Sequence, residues 1–453
     1  MSTVASDVRL ARQLVRGSDR REWWRIMLTA TGAALATGFA LAAVTLASLQ
    51  GGLTVSVGHG LLNEPGTRAG VIVSLLMLLV PVLGFLGQCA RIGAVHRDRR
   101  LAGLRLAGAT PWQVRRIAAL ETGLACLAGS AVVTVFSVLL LLRLWSRPTA
   151  LTWAGIALVA VGVPVLGAVA GAVALRRVVA SPLGWVRRTG PTTGRGPGRL
   201  FLAALLLVAV LAPLAVTTTG SGSGGRDYRQ GPLTVFALVI AVGAGAVWLS
   251  GATARLTGRL LAHRARTAAP LIAAERLRAD PWAPARTHAA VLLVAVAGTA
   301  FLCVRHAMLT ELRSREWHLG ADLDYYTTGL DLTGAAVLVA LAITLSGLAV
   351  GTAESLTNRR RALAAQVAAG VPRTVLNRAL LLETAVPLAP ALLLAGAGGL
   401  AVGVWYSTAT GVGSVPWTAL LVAPAVYASC LLSAATALPL LGRSVRPGEL
   451  RYA

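Results

Sequence analysis

The side chains able to do chemistry in this chain are few and widely spaced. Its six histidines, His59, His96, His263, His288, His306 and His318, fall singly, and no HExxH, Ser/His/Asp triad or paired acid and base can be assembled around them. The four cysteines, Cys89, Cys126, Cys303 and Cys430, each sit inside an apolar run, with no CxxC and no histidine at ligand spacing, so they read as buried thiols and not as a disulfide framework or a zinc site. Gly220, Gly222 and Gly225 satisfy GxGxxG, a spacing that cradles a pyrophosphate when a strand leads into it and a helix leaves it. No strand precedes it here, and a flexible turn is the better reading. All 42 basic residues are arginine, so a GxxxxGK[ST] phosphate loop cannot be built without its lysine, and any ATP must be hydrolysed by another polypeptide. Ion-coupled carriers hold carboxylates, His or Arg near the bilayer midplane, where such groups are costly and therefore functional. No apolar run here carries a charge near its centre: Glu121, Glu354 and Glu383 lie near one end of theirs, Arg305 and His306 near the other. A proton or sodium antiporter and an embedded enzyme are both disfavoured.

The elements that must carry these residues are hydrophobic. At 56% hydrophobic and 13% charged residues, with a mean hydropathy of +0.71, the 453-residue chain is far from a soluble composition and reads as an all-α polytopic membrane protein. A crossing needs about 20 apolar residues. Ten stretches qualify: 26–49, 70–90, 117–142, 151–175, 200–218, 232–252, 289–304, 332–353, 379–404 and 417–441. The seventh is the shortest, with room to begin before Ala289. The first is too long for the apolar core of a signal peptide.

Net charge is +25, but it is not pooled in one basic domain. Cytoplasmic connectors carry the excess of positive charge, and arginines crowd into 1–25, into the connectors after the second, fourth, sixth and eighth runs, and into 442–453, whereas the alternate connectors are poor in them. Both termini are therefore expected in the cytoplasm. The same alternation disposes of a nucleic-acid partner. One outer connector, 305–331, is polar enough to note, with Glu311, Arg313, Arg315, Glu316, His318, Asp322, Asp324, Tyr325, Tyr326 and Asp331; it reads either as a charged surface hairpin or as a contact for a substrate or extracellular partner.

An internal repeat emerges at an offset of 262 residues. Residues 99–122 and 361–384 share nine of 24 positions: Arg99/Arg361, Leu101/Leu363, Ala102/Ala364, Ala107/Ala369, Gly108/Gly370, Arg116/Arg378, Leu120/Leu382, Glu121/Glu383 and Thr122/Thr384. Both copies fall between the second and third crossings of a four-crossing unit. Six crossings separate the units, an even number, so the halves are parallel repeats about an axis along the membrane normal. The expected organisation is a basic N-terminal segment (1–25), a first four-helix unit (26–178), a linking helix pair (179–254), a cytoplasmic connector (255–288), a second four-helix unit (289–441) and a tail (442–453). Within each copy an amphipathic stretch suits a helix at the membrane surface. Gly108 with Thr110 and Pro111, and Gly370 with Pro372, then break that helix and open the next. Glu121 and Glu383 follow about one turn inside the crossing, close to Arg116 and Arg378. The proline and glycine residues within crossings, Gly396, Gly398 and Gly399 among them, serve either close packing or hinging.

At these residues the chain resembles the FtsX-like permeases, the membrane subunits of MacB-type ABC systems. Leu104-Arg105, the run from Gly108 through Thr110, Pro111, Trp112 and Gln113 to Val114, and Glu121 match that family's recurring segment, whereas Arg100 and Ala102 stand where it has Glu and Gly. The second copy retains Gly370, Val375 and Glu383. The resemblance implies a non-enzymatic permease subunit of a bacterial cell membrane, seated on a dimer of separate ATPases that bind the ATP and Mg. It further implies contact with those ATPases through Arg99, Arg100, Arg105, Gly108, Thr110, Pro111 and Gln113 in the first copy and Arg361, Gly370, Pro372 and Val375 in the second, with Glu121 and Glu383 as interface acids. Two-repeat, ten-crossing members resemble efflux systems for peptide antibiotics, and these commonly carry a large extracellular domain, for which no connector here is long enough. The cargo expected is amphipathic: an antimicrobial peptide, an antibiotic or a lipid. Two other readings stand beside it: a mechanotransmission or sensory protein that moves no cargo and signals to an extracellular enzyme or a histidine kinase, and an ATP-independent carrier.

Overall fold

The structure, a computed structural model, describes residues 20–49, 61–63, 65–89, 106, 108–145, 148–174, 226–314, 323–409 and 411–439. Among them the secondary structure is helical throughout: α1 (Arg20–Ala47), α2 (Pro65–Cys89), α3 (Pro111–Leu144), α4 (Ala150–Ala174), α5 (Arg226–Arg264), α6 (Ala268–Ala279), α7 (Ala283–Ser314), α8 (Leu323–Asn358), α9 (Arg360–Ala368), α10 (Arg373–Ala409), a 3-10 turn (Trp417–Leu421) and α11 (Val422–Ala435). Nine helices among the described residues are long and apolar enough to cross a membrane, and they coincide with nine of the ten expected runs. The tenth, 200–218, lies outside the described residues. Helices satisfy their own backbone polar groups, which is what hydrocarbon demands of a spanning segment.

Several helices outrun their apolar cores. The seventh run, 289–304, is the centre of the 32-residue α7, and α8 starts nine residues before its run does. The outer connector expected at 305–331 is therefore helix on both sides, with only 315–322 between them outside the described residues. Hydropathy marks the part of a helix that hydrocarbon solvates, whereas the hydrogen-bond ladder continues through polar residues until something caps it.

The chain divides into two compact units, Met1–Ser48 with Phe85–Gly190, and Leu49–Gly84 with Pro191–Ala453. In the first, α1, α3 and α4 pack against one another in all three pairings. Small residues bring the backbones close: Gly129 on α3 lies against the Ala30 carbonyl of α1 with no room for a Cβ, and Gly155 on α4 abuts Val44. Where α1 meets α4, Ser48 and Thr152 share a hydroxyl hydrogen bond of 2.7 Å.

In the second unit the corresponding trio, α7, α10 and α11, is paired in the same three ways. To it are added α8, which packs on α7 and α11, and α5, which packs on α7 and α10. Gly398 and Gly399 on α10 are packing contacts: a Cβ at Gly399 would lie 2.7 Å from the Val296 carbonyl of α7, and one at Gly398 would overlap Val242 of α5. Arg68, the one arginine of the connector 50–69, is wholly buried. Its guanidinium donates to the carbonyls of Leu49 (2.7 Å), Leu62 (3.0 Å) and Asn63 (3.2 Å), fastening the connector to the start of α2.

Candidate functional site

In both copies the segment breaks at an aligned glycine. Gly108 has φ +94° and Gly370 φ +89°, left-handed conformations that an L side chain resists. The long helices then start at aligned positions, α3 at Pro111 and α10 at Arg373, 262 residues apart. The two starts use different chemistry. Thr110 caps α3 through a reciprocal box: its hydroxyl accepts from the Gln113 backbone N–H (3.3 Å), and the Gln113 side chain accepts from the Thr110 N–H (2.8 Å), with Pro111 at the first helical position. Thr110 and Gln113 thus hold the helix end in place. In the second copy the preceding helix is the one that is capped. The Val371 N–H returns to the Gln366 carbonyl (3.0 Å) and the Gly370 N–H to the Val367 carbonyl (2.9 Å), the paired bonds of a Schellman ending. Pro372, exposed, and Val375, partly buried, follow it.

The surface helix expected before the glycine is described in the second copy as α9. Its apolar side is covered by protein: Leu363 is fully buried, in a cluster with Leu356 at the end of α8, Leu376 in α10 and Ala437, and Ile272 of α6 packs against them. Ala362, Ala365 and Ala368 remain exposed on its other side. Arg361 lies in its first turn. In the first copy Arg99, Arg100 and Arg105 lie outside the described residues.

Behind each glycine lies the aligned acid. Glu121 is 3% exposed and ion-paired with Arg25 of α1. Glu383 is bridged from two sides: Arg359, between α8 and α9, donates to both carboxylate oxygens (2.8 and 3.0 Å), and Arg276 of α6 donates to Oε2 (3.0 Å). A carboxylate removed from water needs such a partner. The sequence suggested Arg378 beside Glu383. It is exposed instead, because residues five apart do not share a helix face as residues three or four apart do. The partners Arg25, Arg276 and Arg359 were not nominated by sequence; the available signal was an arginine at the polar end of each neighbouring crossing.

The connector before α7 is also ordered. Asp280 receives the Trp282 backbone N–H (3.2 Å) and pairs with Arg286, and the Trp282 ring seats on Gly251 of α5 with the Arg255 guanidinium 5.6 Å above it. At the opposite ends of the second unit's helices, Glu311 and Arg313 lie in the last turns of α7, and exposed Asp324 occupies the first turn of α8, where it favours the helix dipole. Arg315, Glu316 and Asp322 lie outside the described residues. Arg305 pairs with Asp331 (2.8 Å), His306 shares a hydrogen bond with Ser414 (3.1 Å), and Tyr325 donates to Thr67 (3.0 Å). These contacts tie helix ends together.

Residues 71–183 match the family model of the FtsX-like permease C-terminal domain. The matched stretch includes the first copy of the repeat, with Gly108, the start of α3 and Glu121. No curated protein and no solved structure matches the chain. The fold and the match together define a polytopic membrane protein, helical among its described residues, with a segment similar to the FtsX-like permease C-terminal domain.

Proposed function

We propose that the chain is the membrane-spanning subunit of an ABC-type transporter, driven by separate ATPase subunits that bind ATP and Mg. One permease would sit on an ATPase dimer, with 99–113 meeting one ATPase and 361–375 the other, and would export or extract an amphipathic cargo. The observation that carries this reading is the repeated device itself: an aligned left-handed glycine, an aligned helix start and an aligned, ion-paired glutamate. A short segment held against the end of a long spanning helix by a fixed turn and a salt bridge transmits displacement without dissipating it in loop motion. The residues proposed to meet the ATPases are Arg99, Arg100, Arg105, Gly108, Thr110, Pro111 and Gln113 in the first copy and Arg361, Gly370, Pro372 and Val375 in the second. Thr110, Pro111 and Gln113 also set the helix start there, Glu383 fastens the start of α9 to α10 through Arg359, and Glu121 holds α3 to α1 through Arg25. The family match supports the permease class.

The test is affinity purification of the tagged chain from its native membrane in mild detergent, with mass spectrometry of what accompanies it. An ABC ATPase is expected to co-purify with the wild-type chain and to be lost from a Gly108→Val/Gly370→Val double variant that remains monodisperse. A chain that emerges alone has no power source for this function, and a carrier or a sensor then becomes the better reading.

A further inference from the structure

One face of α5 is left uncovered by the described residues of the second unit. Its other face carries the contacts: Gly243 meets Leu293 of α7, Val242 meets Gly398 of α10, and Gly258 meets Leu277 of α6. The uncovered residues recur at helical spacing: Trp248 (61% exposed), Leu249, Ala252, Arg255, Leu256 (57%), Arg259, Leu260 (56%), His263 and Arg264. Along about 24 Å of helix the stripe is apolar for its first two turns, alternates leucine with arginine for the next two, and ends basic. That is the order of environments from acyl chain to headgroup.

The cations of this stripe have no carboxylate partner among the described residues. The acids nearest in sequence are committed elsewhere, Glu275 to Arg278 and Asp280 to Arg286. Arg255 is oriented by the Trp282 ring, which occupies its face and leaves its edge N–H donors free for an anion. A guanidinium edge matches two phosphate oxygens.

We propose that this stripe binds an anionic phospholipid, Arg255 and Arg259 taking the headgroup phosphate while Trp248, Leu249, Leu256 and Leu260 lie along the acyl chains. A soluble acidic protein would satisfy the arginines but would leave no role for leucines interleaved with them on a face continuous with Trp248. The site does not depend on the transport function.

The test is native mass spectrometry of the purified chain after equilibration in vesicles of equal phosphatidylglycerol and phosphatidylcholine. The wild-type chain is expected to retain phosphatidylglycerol preferentially, and Arg255→Gln/Arg259→Gln to lower that preference roughly tenfold or more. Arg255→Lys/Arg259→Lys, which keeps the charge, should retain part of it, and Arg278→Gln, off the stripe, should leave it intact. Unchanged preference in the glutamine variant, an equal loss in Arg278→Gln, or displacement of the lipid by inorganic phosphate would each overturn the site. Loss of a co-purifying protein with lipid retained would make the stripe a protein-docking face instead.

Discussion

The two copies of the repeat hold the same acid by different means. Glu121 pairs with Arg25, from the helix it packs against, and both side chains are buried, at 3% and 8% exposure. Glu383 sits at 21% exposure and meets two arginines, one from the connector helix α6 and one from the corner between α8 and α9. The first arrangement fixes one helix pair. The second gathers three elements on one carboxylate, so that α9 and α6 are bound to the start of α10 both by the triad and by the Leu363 cluster beneath it. A sequence repeat can thus preserve a residue while its surroundings diverge, because an ion pair constrains only the position of a charge and not the element that supplies it.

Breaking the more deeply buried pair should cost most. Arg25→Gln takes a guanidinium from a buried carboxylate and is expected to destabilise the chain by about 3–5 kcal/mol, read as an early loss of monodisperse protein on heating in detergent. Adding Glu121→Gln should recover much of that loss, since two neutral amides bury less unpaired charge. Next comes the helix contact that one copy has and the other lacks. Gly129→Ala drives a methyl into the Ala30 carbonyl and should cost about 1–3 kcal/mol, whereas the aligned position already carries buried Ala391, so that Ala391→Gly should cost under about 1 kcal/mol.

Glu383→Gln is expected to cost less than the change at Arg25, about 1–2 kcal/mol after allowance for its exposure. Proteolysis of the variant should show α9 and α6 loosening before the spanning helices do. Gly108→Ala and Gly370→Ala should cost about 1 kcal/mol each and nearly equally, because a Cβ at either meets open space and only the positive φ resists it; unequal losses in thermal melts would show that the two turns are not mechanically equivalent. Smallest is the exposed pair of Arg278 and Glu275, whose double-mutant coupling should be below about 0.5 kcal/mol.

The helical architecture was legible because hydrophobic run length is a one-dimensional property, and nine described helices fall where the runs do. The glycine breaks were legible for a related reason. Gly108 and Gly370 adopt the conformation their residue type allows, and their recurrence at a fixed offset marks them without knowledge of any neighbour. The spacing of Thr110 and Gln113 is that of a capping box, which the structure forms at the helix start expected to meet a partner. Gly398 and Gly399 left packing and hinging open, and the contacts with Val242, Thr299 and the Val296 carbonyl show that they pack.

Sequence by itself determined that this is a helical membrane protein with a repeated break and acid, since bilayer thickness, backbone hydrogen bonding and glycine's freedom act on local strings of residues. The tertiary structure alone decided that Arg25 meets Glu121 and that Arg276 and Arg359 meet Glu383, that α9 lies on protein through Leu363, that Arg68 donates to three carbonyls, and that the described residues leave one side of α5 bare. Those outcomes depend on distances between residues tens to hundreds of positions apart. Only the packing of the helices sets such distances, and the charge of an arginine is the same whichever carboxylate it meets.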